Sequence, residues 1–453
     1  MSKQNDNRPA LLNIKSMPVN SALQFSTDVL DPVIFSQDFC RFELNPKGFL
    51  HPNSQITIQM KSNGVAGDNF PFVNVGLYSM VQRAVLKTAD GTTLCSTEDL
   101  PWLMACKSQF VTGSSNLERE QFKTGRGMAY EQVFDDESGK SATTYGLANG
   151  LEYNTLADGV VKAGYKQGLN VQQHLRNSQE STFSLSLNDL FPYLKSGNQL
   201  PLFMMPRVQL ELYWTSDASK SRCVSPTTGS SFEIKQTQFF ADYLFYDGEF
   251  MENYREKNPE LSFTYIDYRL SKNSITQAQA LNSVRNVGGN GMLVTKVFHG
   301  YEVNKANPDE DLLGPYVAVA PEKVGATDQR GDLTQNLFFN NEFLYPQNVT
   351  NSAVHYHHLI SAEGSPAYVS RAAYSGEGEG ITTDDLAGLG QDGELLGQNF
   401  WQGFKLIGND RLDSKGIDLH AKIDISGDAV NRVWLEVLRY ATLTNGKMNV
   451  FYA

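Results

Sequence analysis

The sequence predicts an all-β protein built as two sandwiches in tandem, on three observations. Strict alternation of polar and apolar residues, the mark of a strand with one buried face, recurs along both halves of the chain. Rings and glycines are plentiful, with 26 Phe, 20 Tyr and 37 Gly. Aromatic side chains suit a pleated surface, and glycine suits turns that need positive φ. Finally, the 453 residues are 40% hydrophobic, enough for more than one core when a domain is usually ~100–200 residues long.

Residues 1–30 are mixed in polarity and poor in strand pattern, and they read as an N-terminal arm. Thereafter Cys40, Phe42 and Leu44 alternate with Phe39, Arg41 and Glu43, and Ile56, Ile58 and Met60 alternate with Thr57, Gln59 and Lys61. Phe183, Leu185 and Leu187 alternate with serines, and Val208, Leu210, Leu212 and Trp214 share a face opposite Gln209, Glu211 and Tyr213. Each pattern gives a sheet one apolar side, which is half of a sandwich. A second series sets Phe263, Tyr265 and Asp267 against Thr264, Ile266 and Tyr268, and continues with Met292, Val294 and Phe298. Ile417, Leu419, Ala421, Ile423 and Ile425 then alternate with Asp418, His420, Lys422 and Asp424. The run Val433–Thr444 meets Asn445-Gly446, a type I′ hairpin signal, and Lys447–Tyr452 supplies the returning strand.

Helical signals are few. Leu100, Leu103, Met104, Lys107 and Phe110 follow Ser96-Thr97-Glu98-Asp99 at helical spacing, with Pro101 early enough to be tolerated. Short helical turns are expected at Asn188–Lys195 and Met251–Lys257. Residues 113–180, 304–350 and 372–400 are rich in Gly, Asn, Gln and Ser and read as long insertions on one loop-bearing end. Both halves thus share a plan of strands, insertion and closing strands. The division falls near 248–260, giving an arm 1–30, a first sandwich 31–250 and a second 251–453.

Composition excludes several classes of function. With net charge −12 and no Lys/Arg block, the chain lacks the basic face that binding of nucleic-acid phosphates requires, so no direct sequence-specific nucleic-acid binding is expected. Cys40, Cys95, Cys106 and Cys223 have no metal-site spacing, and four cysteines in so long a chain suggest reduced thiols. The N-terminal Met1–Asn7 is polar, unlike a signal peptide, and no apolar run approaches the ~20 residues of a membrane helix. A cytosolic or nuclear product is expected, which makes Asn348-Val349-Thr350 an incidental sequon.

No motif assembles an active site. Gly139-Lys140-Ser141 resembles the end of a phosphate-binding loop, yet Phe134 stands where that loop needs its first glycine. Gly376-Glu377-Gly378-Glu379-Gly380 is an acidic loop that would repel phosphate, and Asp309-Glu310-Asp311 lacks calcium-loop spacing. On a strand, His355 and His357 would share a face and could hold a metal beside Glu363 and His420, in the manner of cupins. Val349 replaces the glycine that precedes the cupin motif, and the first half offers only the isolated His51 and His174. No catalytic, cofactor-binding or metal residue is assigned, and no cofactor is expected.

The stretch from Arg41 through Asn45-Pro46-Lys47-Gly48-Phe49-Leu50-His51-Pro52-Asn53-Ser54 resembles the opening of the double jelly-roll major capsid proteins, nearest to those of polinton-like viruses and virophages. Gly76–Leu86, Leu190-Phe191-Pro192-Tyr193-Leu194 with Leu200-Pro201-Leu202, and Tyr243–Glu249 continuing to Arg255-Glu256 fit the same group in order. In the joint, Glu252-Asn253-Tyr254 departs from the more basic pattern of larger relatives. The resemblance implies two tandem eight-stranded jelly-roll sandwiches with long loop insertions and a few short helices. It further implies a non-enzymatic homotrimer of pseudo-hexagonal outline that tiles an icosahedral shell around double-stranded DNA. Neighbouring capsomers, a vertex (penton) protein and minor cement proteins would be its partners. The protein would be made in the host cytoplasm and reside in the virion. Two other classes compete: a sugar-binding β-sandwich of a spike or lectin, and a bicupin-type metalloenzyme. The first should expose Trp in pockets, yet the chain has four Trp, with Trp214 and Trp434 in strands that read as buried. The second should show paired histidine motifs.

Overall fold

The computed structural model describes residues 24–63, 69–70, 75–111, 123–124, 175–176, 180–195, 199–215, 231–276, 278, 283–303, 334–349, 352–363, 401–406, 411–422, 428–444 and 446–453. In the first half the strands are β1 (Gln24–Leu30), β2 (Ile34–Phe35), β3 (Phe39–Glu43), β4 (Phe49–Leu50), β5 (Gln55–Asn63), β6 (Asn69–Phe70), β7 (Val81–Thr88), β8 (Thr93–Glu98), β9 (Leu175–Arg176), β10 (Glu180–Ser186), β11 (Val208–Trp214) and β12 (Ser231–Phe245). The second half holds β13 (Glu260–Ile275), β14 (Ser283–Gly288), β15 (Val294–Val303), β16 (Thr334–Phe339), β17 (Glu342–Phe343), β18 (Gln402–Lys405), β19 (Ile417–Lys422), β20 (Ala429–Thr444) and β21 (Lys447–Tyr452). Among the described residues the α-helices are α1 (Leu100–Val111), α2 (Leu187–Leu190), α3 (Pro192–Lys195), α4 (Gly248–Lys257) and α5 (Ser352–Glu363), and Gly76–Met80 form a 3-10 turn that leads into β7.

The alternation decides the pairing. Cys40 and Phe42 of β3 are buried, as are Leu210 and Leu212, which lie beside them on β11. Ile56 and Ile58 of β5 lie beside Leu185 and Phe183 of β10 and face the same core. The result is two main antiparallel sheets in the first half, ordered β1-β12-β5-β10 and β3-β11-β7-β8, with the short β2 and β4 added at β3 and β12, and a small two-stranded sheet of β6 and β9. The second half repeats this as β13-β20-β15-β18 and β14-β19-β16-β17, with β21 added at β20. Numbered one to eight within each half, both read 1-8-3-6 and 2-7-4-5. That common order is the jelly-roll order, in which two Greek keys wrap into facing sheets. The duplication expected from the sequence is therefore one of topology, with little residue identity behind it.

Local chemistry sets the joints. Helix α4 links β12 to β13. Its N-cap Asp247 accepts a hydrogen bond from the Phe250 amide at 2.7 Å, Glu249 is in its first turn, and Arg255 and Lys257 are in its last, each charge complementing the helix dipole. The β20–β21 hairpin closes between Thr444 and Lys447 with Gly446 at φ +73°. Asn445 lies outside the described residues. Gly416 (φ +76°) enters β19 where a Cβ would stand 2.4 Å from the Gly288 carbonyl oxygen, so only glycine fits there.

Three expectations are corrected. Residues 24–30, assigned to the arm, form β1 and pair along their whole length with β12. The pattern was hidden because the inward positions are Ser26, Asp28 and Leu30, with Asp28 satisfied by Lys47 and Asn45. Residues 304–350, read as one insertion, contain β16, β17 and the turn beyond them. Gln335 and Asn336 of β16 are buried polar residues whose hydrogen bonds replace the missing apolar alternation. The third correction is the histidine cluster, which is on a helix. The insertion segments 112–122, 125–174, 304–333 and 364–400 lie outside the described residues, as do Cys223, Ile423, Ile425, Gly139–Ser141, Asp309–Asp311 and Gly376–Gly380.

Candidate functional site

The region richest in buried chemistry is the junction between the two halves. One continuous cluster of buried apolar side chains begins in the first sandwich at Cys40, Phe42 and Ile56. It passes through Trp102 and Tyr193 to Phe263, Tyr265, Trp401 and Trp434 of the second half. A separate cluster, including Val297, Leu337, Phe404, Leu419 and Leu435, fills the second sandwich. The first core is thus shared across the junction, which joins the halves as one block.

Edge strand β8 meets edge strand β13 there. The Leu94 carbonyl of β8 accepts from the Tyr265 hydroxyl at 2.6 Å and from Arg439 at 2.8 Å. Tyr193 of α3 packs edge-on against Tyr265 with ring centroids 5.2 Å apart. Just beyond β8, Asp99 adopts φ +48° and is buried. Its carboxylate receives Gln82 from its own half, and from the other half Arg432 Nε at 3.1 Å and Lys272 Nζ at 2.7 Å. Arg432 also pairs with Glu302, and its guanidinium lies 4.2 Å from the centre of a Trp102 ring. Trp102 in turn contacts Trp401, which contacts Trp434. Helices α1 and α5, which follow the fifth strand of their respective sandwiches, are joined by Lys107 and Glu363 at 3.0 Å, both nearly buried, with the Lys107 ammonium over the Phe298 ring.

Asp267, opposite Val437 on β20, accepts from Arg439 at 2.9 Å. Burial pushes its carboxyl up to about 6, more than the neighbouring Arg439 pulls it down. Between pH 4 and pH 6 the folded chain therefore holds a proton there that the unfolded chain has lost. The group favours folding most below pH 4, and this contribution fades as pH rises through 6. Denaturation of the wild type and of Asp267→Asn, compared from pH 4 to pH 7, should show the wild type losing ground to the variant as pH rises. A difference that stays constant across that range would contradict this assignment.

The histidines are placed differently from the strand reading. His355, Leu359 and Ala362 recur at helical spacing on the buried face of α5. Leu359 and Ala362 lie where a side chain at Gly403 of β18 would collide. Gln335 bridges the two buried imidazoles of His299 (2.9 Å) and His355 (2.7 Å) and donates to Gln402 at 2.9 Å. Burial and the nearby Arg285 hold His299 down near 3, so it stays neutral. His358 bonds the Tyr345 hydroxyl, His357 is exposed, Glu363 is engaged with Lys107, and His420 lies against Phe338 and Phe343. Among the described residues no three His, Cys, Asp or Glu side chains converge as metal ligands. Cys40, Cys95 and Cys106 are buried free thiols, and burial raises the pKa of each. Trp214 and Trp434 are buried. No described helix is long and apolar enough to cross a membrane. Sequence reasoning found β13 and β20 of the junction but not β8, whose Ser96-Thr97-Glu98 it took as the lead-in to α1, and it missed the ionic centre, since Asp99 and Arg432 are 333 positions apart.

No protein-family model matches the chain, and no curated protein matches it in sequence. Solved structures do match it nearly end to end. PBCV-1 VP54, as fitted into a reconstruction of the virophage Sputnik, superposes with a TM-score of 0.58 at 9% identity, covering 96% of this chain and 98% of that one. The Faustovirus major capsid protein gives a TM-score of 0.58 at 8% identity, covering 96% and 92%. A chain of the Sputnik virophage structure gives 0.56 at 12% identity, covering 100% and 93%. These likenesses establish the fold: the chain is a double jelly roll of the kind found in viral major capsid proteins.

Proposed function

We propose that this double jelly-roll chain is a viral major capsid protein, with a structural rather than a catalytic role. The observation that carries the reading is the end-to-end correspondence with capsid proteins, which spans both sandwiches and the joint between them. The junction supports it physically. A shell subunit must transmit load between its two halves without flexing, and a shared apolar core crossed by buried ion pairs does this. In this reading the two wedges are the sandwich that opens with β1 at Gln24 and ends near residue 250, and the sandwich of residues 251–453. Three copies close into a pseudo-hexagonal capsomer, since six similar wedges from one gene product pack hexagonally and closed cyclic symmetry buries their sides. The capsomers tile an icosahedral shell around a double-stranded DNA genome, with a vertex protein and cement proteins as partners and the virion as destination. The protein itself, synthesised in the host cytoplasm, makes no sequence-specific contact with DNA.

Obligate interfaces of this kind bury a few thousand Å², so association and folding should be linked. Light scattering on a dilution series of the recombinant chain should give a mass near three times 50.4 kDa at every concentration where the protein stays folded. A folded monomer across that series would overturn the capsomer reading and favour a monomeric binding module.

A further inference from the structure

The second sandwich buries a polar quartet beside its apolar core. His299 of β15, Gln335 of β16, His355 of α5 and Gln402 of β18 come from four elements, and each is at most 1% exposed. The Gln335 amide organises them and fixes where the protons sit. Its oxygen only accepts, so His299, 2.9 Å away, must carry a proton on Nε2. Its nitrogen only donates, so His355 must present a bare Nδ1 at 2.7 Å, and the second amide hydrogen goes to Gln402. Each ring is thereby held in one neutral tautomer.

A further proton has no place in this arrangement. On His299 it would go to Nδ1, which is buried without a hydrogen-bond partner. On His355 it would go to Nδ1 and set a donor against the donating Gln335 amide. Nor do the groups that face His299 supply a negative charge. Arg285 of β14 opposes its protonation, Tyr301 lies edge-on to it, Phe404 of β18 stacks over it, and β20 presents Val433. Of the other histidines on α5, His357 is exposed and His358 bonds the Tyr345 hydroxyl.

The helix is what such a network holds. His355 is a buried polar anchor of α5, whose Leu359 and Ala362 pack on Gly403 of the edge strand β18. At the far end of α5, Glu363 pairs with Lys107 of α1, so the helix also ties the second sandwich to the first.

We propose that the quartet is an acid-sensitive latch: it holds α5 in place while both imidazoles are neutral, and acid releases the helix together with the Lys107–Glu363 tie. The sign follows from linkage. An imidazole that stays neutral when the helix is seated, and can take a proton when it is lifted, favours lifting as pH falls. Below the ordinary histidine value the opening equilibrium grows by about tenfold per pH unit for each such ring. Asp267 acts in the opposite direction over part of that range, so the readout must be local to α5. The latch belongs to the folded chain and does not depend on the capsid reading.

Hydrogen exchange of the full-length protein, corrected for intrinsic rates and read by mass spectrometry at pH 7.5 and pH 5, tests it. Protection of the α5 amides should fall at least about tenfold on acidification, while that of β5 in the same sample changes little. His299→Gln keeps a donor near the Nε2 position, and His355→Asn keeps an acceptor near the Nδ1 position, but neither titrates. The double variant should protect α5 equally at both pH values, and each single variant should show an intermediate fall. A merely structural role would lower protection by the same factor at both pH values and leave the fall unchanged. His357→Gln, on the exposed face, should keep the wild-type fall. Equal protection of wild-type α5 at both pH values overturns the latch, as does a fall shared equally by β5. If the double variant does not fold, the single variants decide, and an undiminished fall in both of them overturns it as well.

Discussion

Asp99→Ala should lower the free energy of unfolding by about 3–5 kcal/mol, the range seen when one partner of a buried ion pair is removed and the other is left in place. Arg432 is nearly buried and would keep only Glu302 as an ionic partner, while Gln82 and Lys272 would lose theirs. Alanine also tolerates φ +48° poorly, adding about 1 kcal/mol. Asp99→Asn retains the turn preference and an acceptor oxygen, so its loss should be clearly smaller. Urea titration of both variants decides the point. If alanine and asparagine unfold together at the wild-type midpoint, Asp99 is not the ionic centre of the junction.

Trp401→Ala should cost about 3–5 kcal/mol, as large-to-small changes at a fully enclosed ring do. Trp401 is 1% exposed and is held between Trp102 of the first half and Trp434 of the second. The cavity would open inside the junction rather than in either sandwich core. Trp401→Phe should recover part of the loss, because a smaller ring still fills some of that volume. The same titration, followed by tryptophan fluorescence, would report it. A loss below about 1 kcal/mol for Trp401→Ala would mean that the site collapses freely and that the halves are only loosely joined.

How much of this was legible depended on whether a residue's role was set by its neighbours in sequence. Strands β3, β5, β11, β13 and β19 could be read because each buries alternate apolar side chains, and β20, which buries the continuous run Asn431–Val437, could be read from the Asn445-Gly446 turn signal after it. β1 and β16 could not: one turns Ser26 and Asp28 inward, and the other buries Gln335 in a hydrogen bond to the distant Gln402 and Asn336 in one to the Tyr345 carbonyl of the turn beyond β17. The histidines of α5 were misread as a strand because His355 and His357 two positions apart suggested alternation. The spacing His355, Leu359, Ala362 carried the helical period that the fold uses. The junction was the least legible part. Leu94, Asp99, Asp267, Arg432 and Arg439 become a site only when two sandwiches, each foldable on paper without the other, are set side by side.

Electron microscopy of the purified full-length protein tests the central claim most directly. Averaged particles should show a hexagonal outline with threefold symmetry, six lobes of similar size standing for two sandwiches from each of three copies. A field of isolated two-lobed particles, in a preparation shown to be folded, would contradict it.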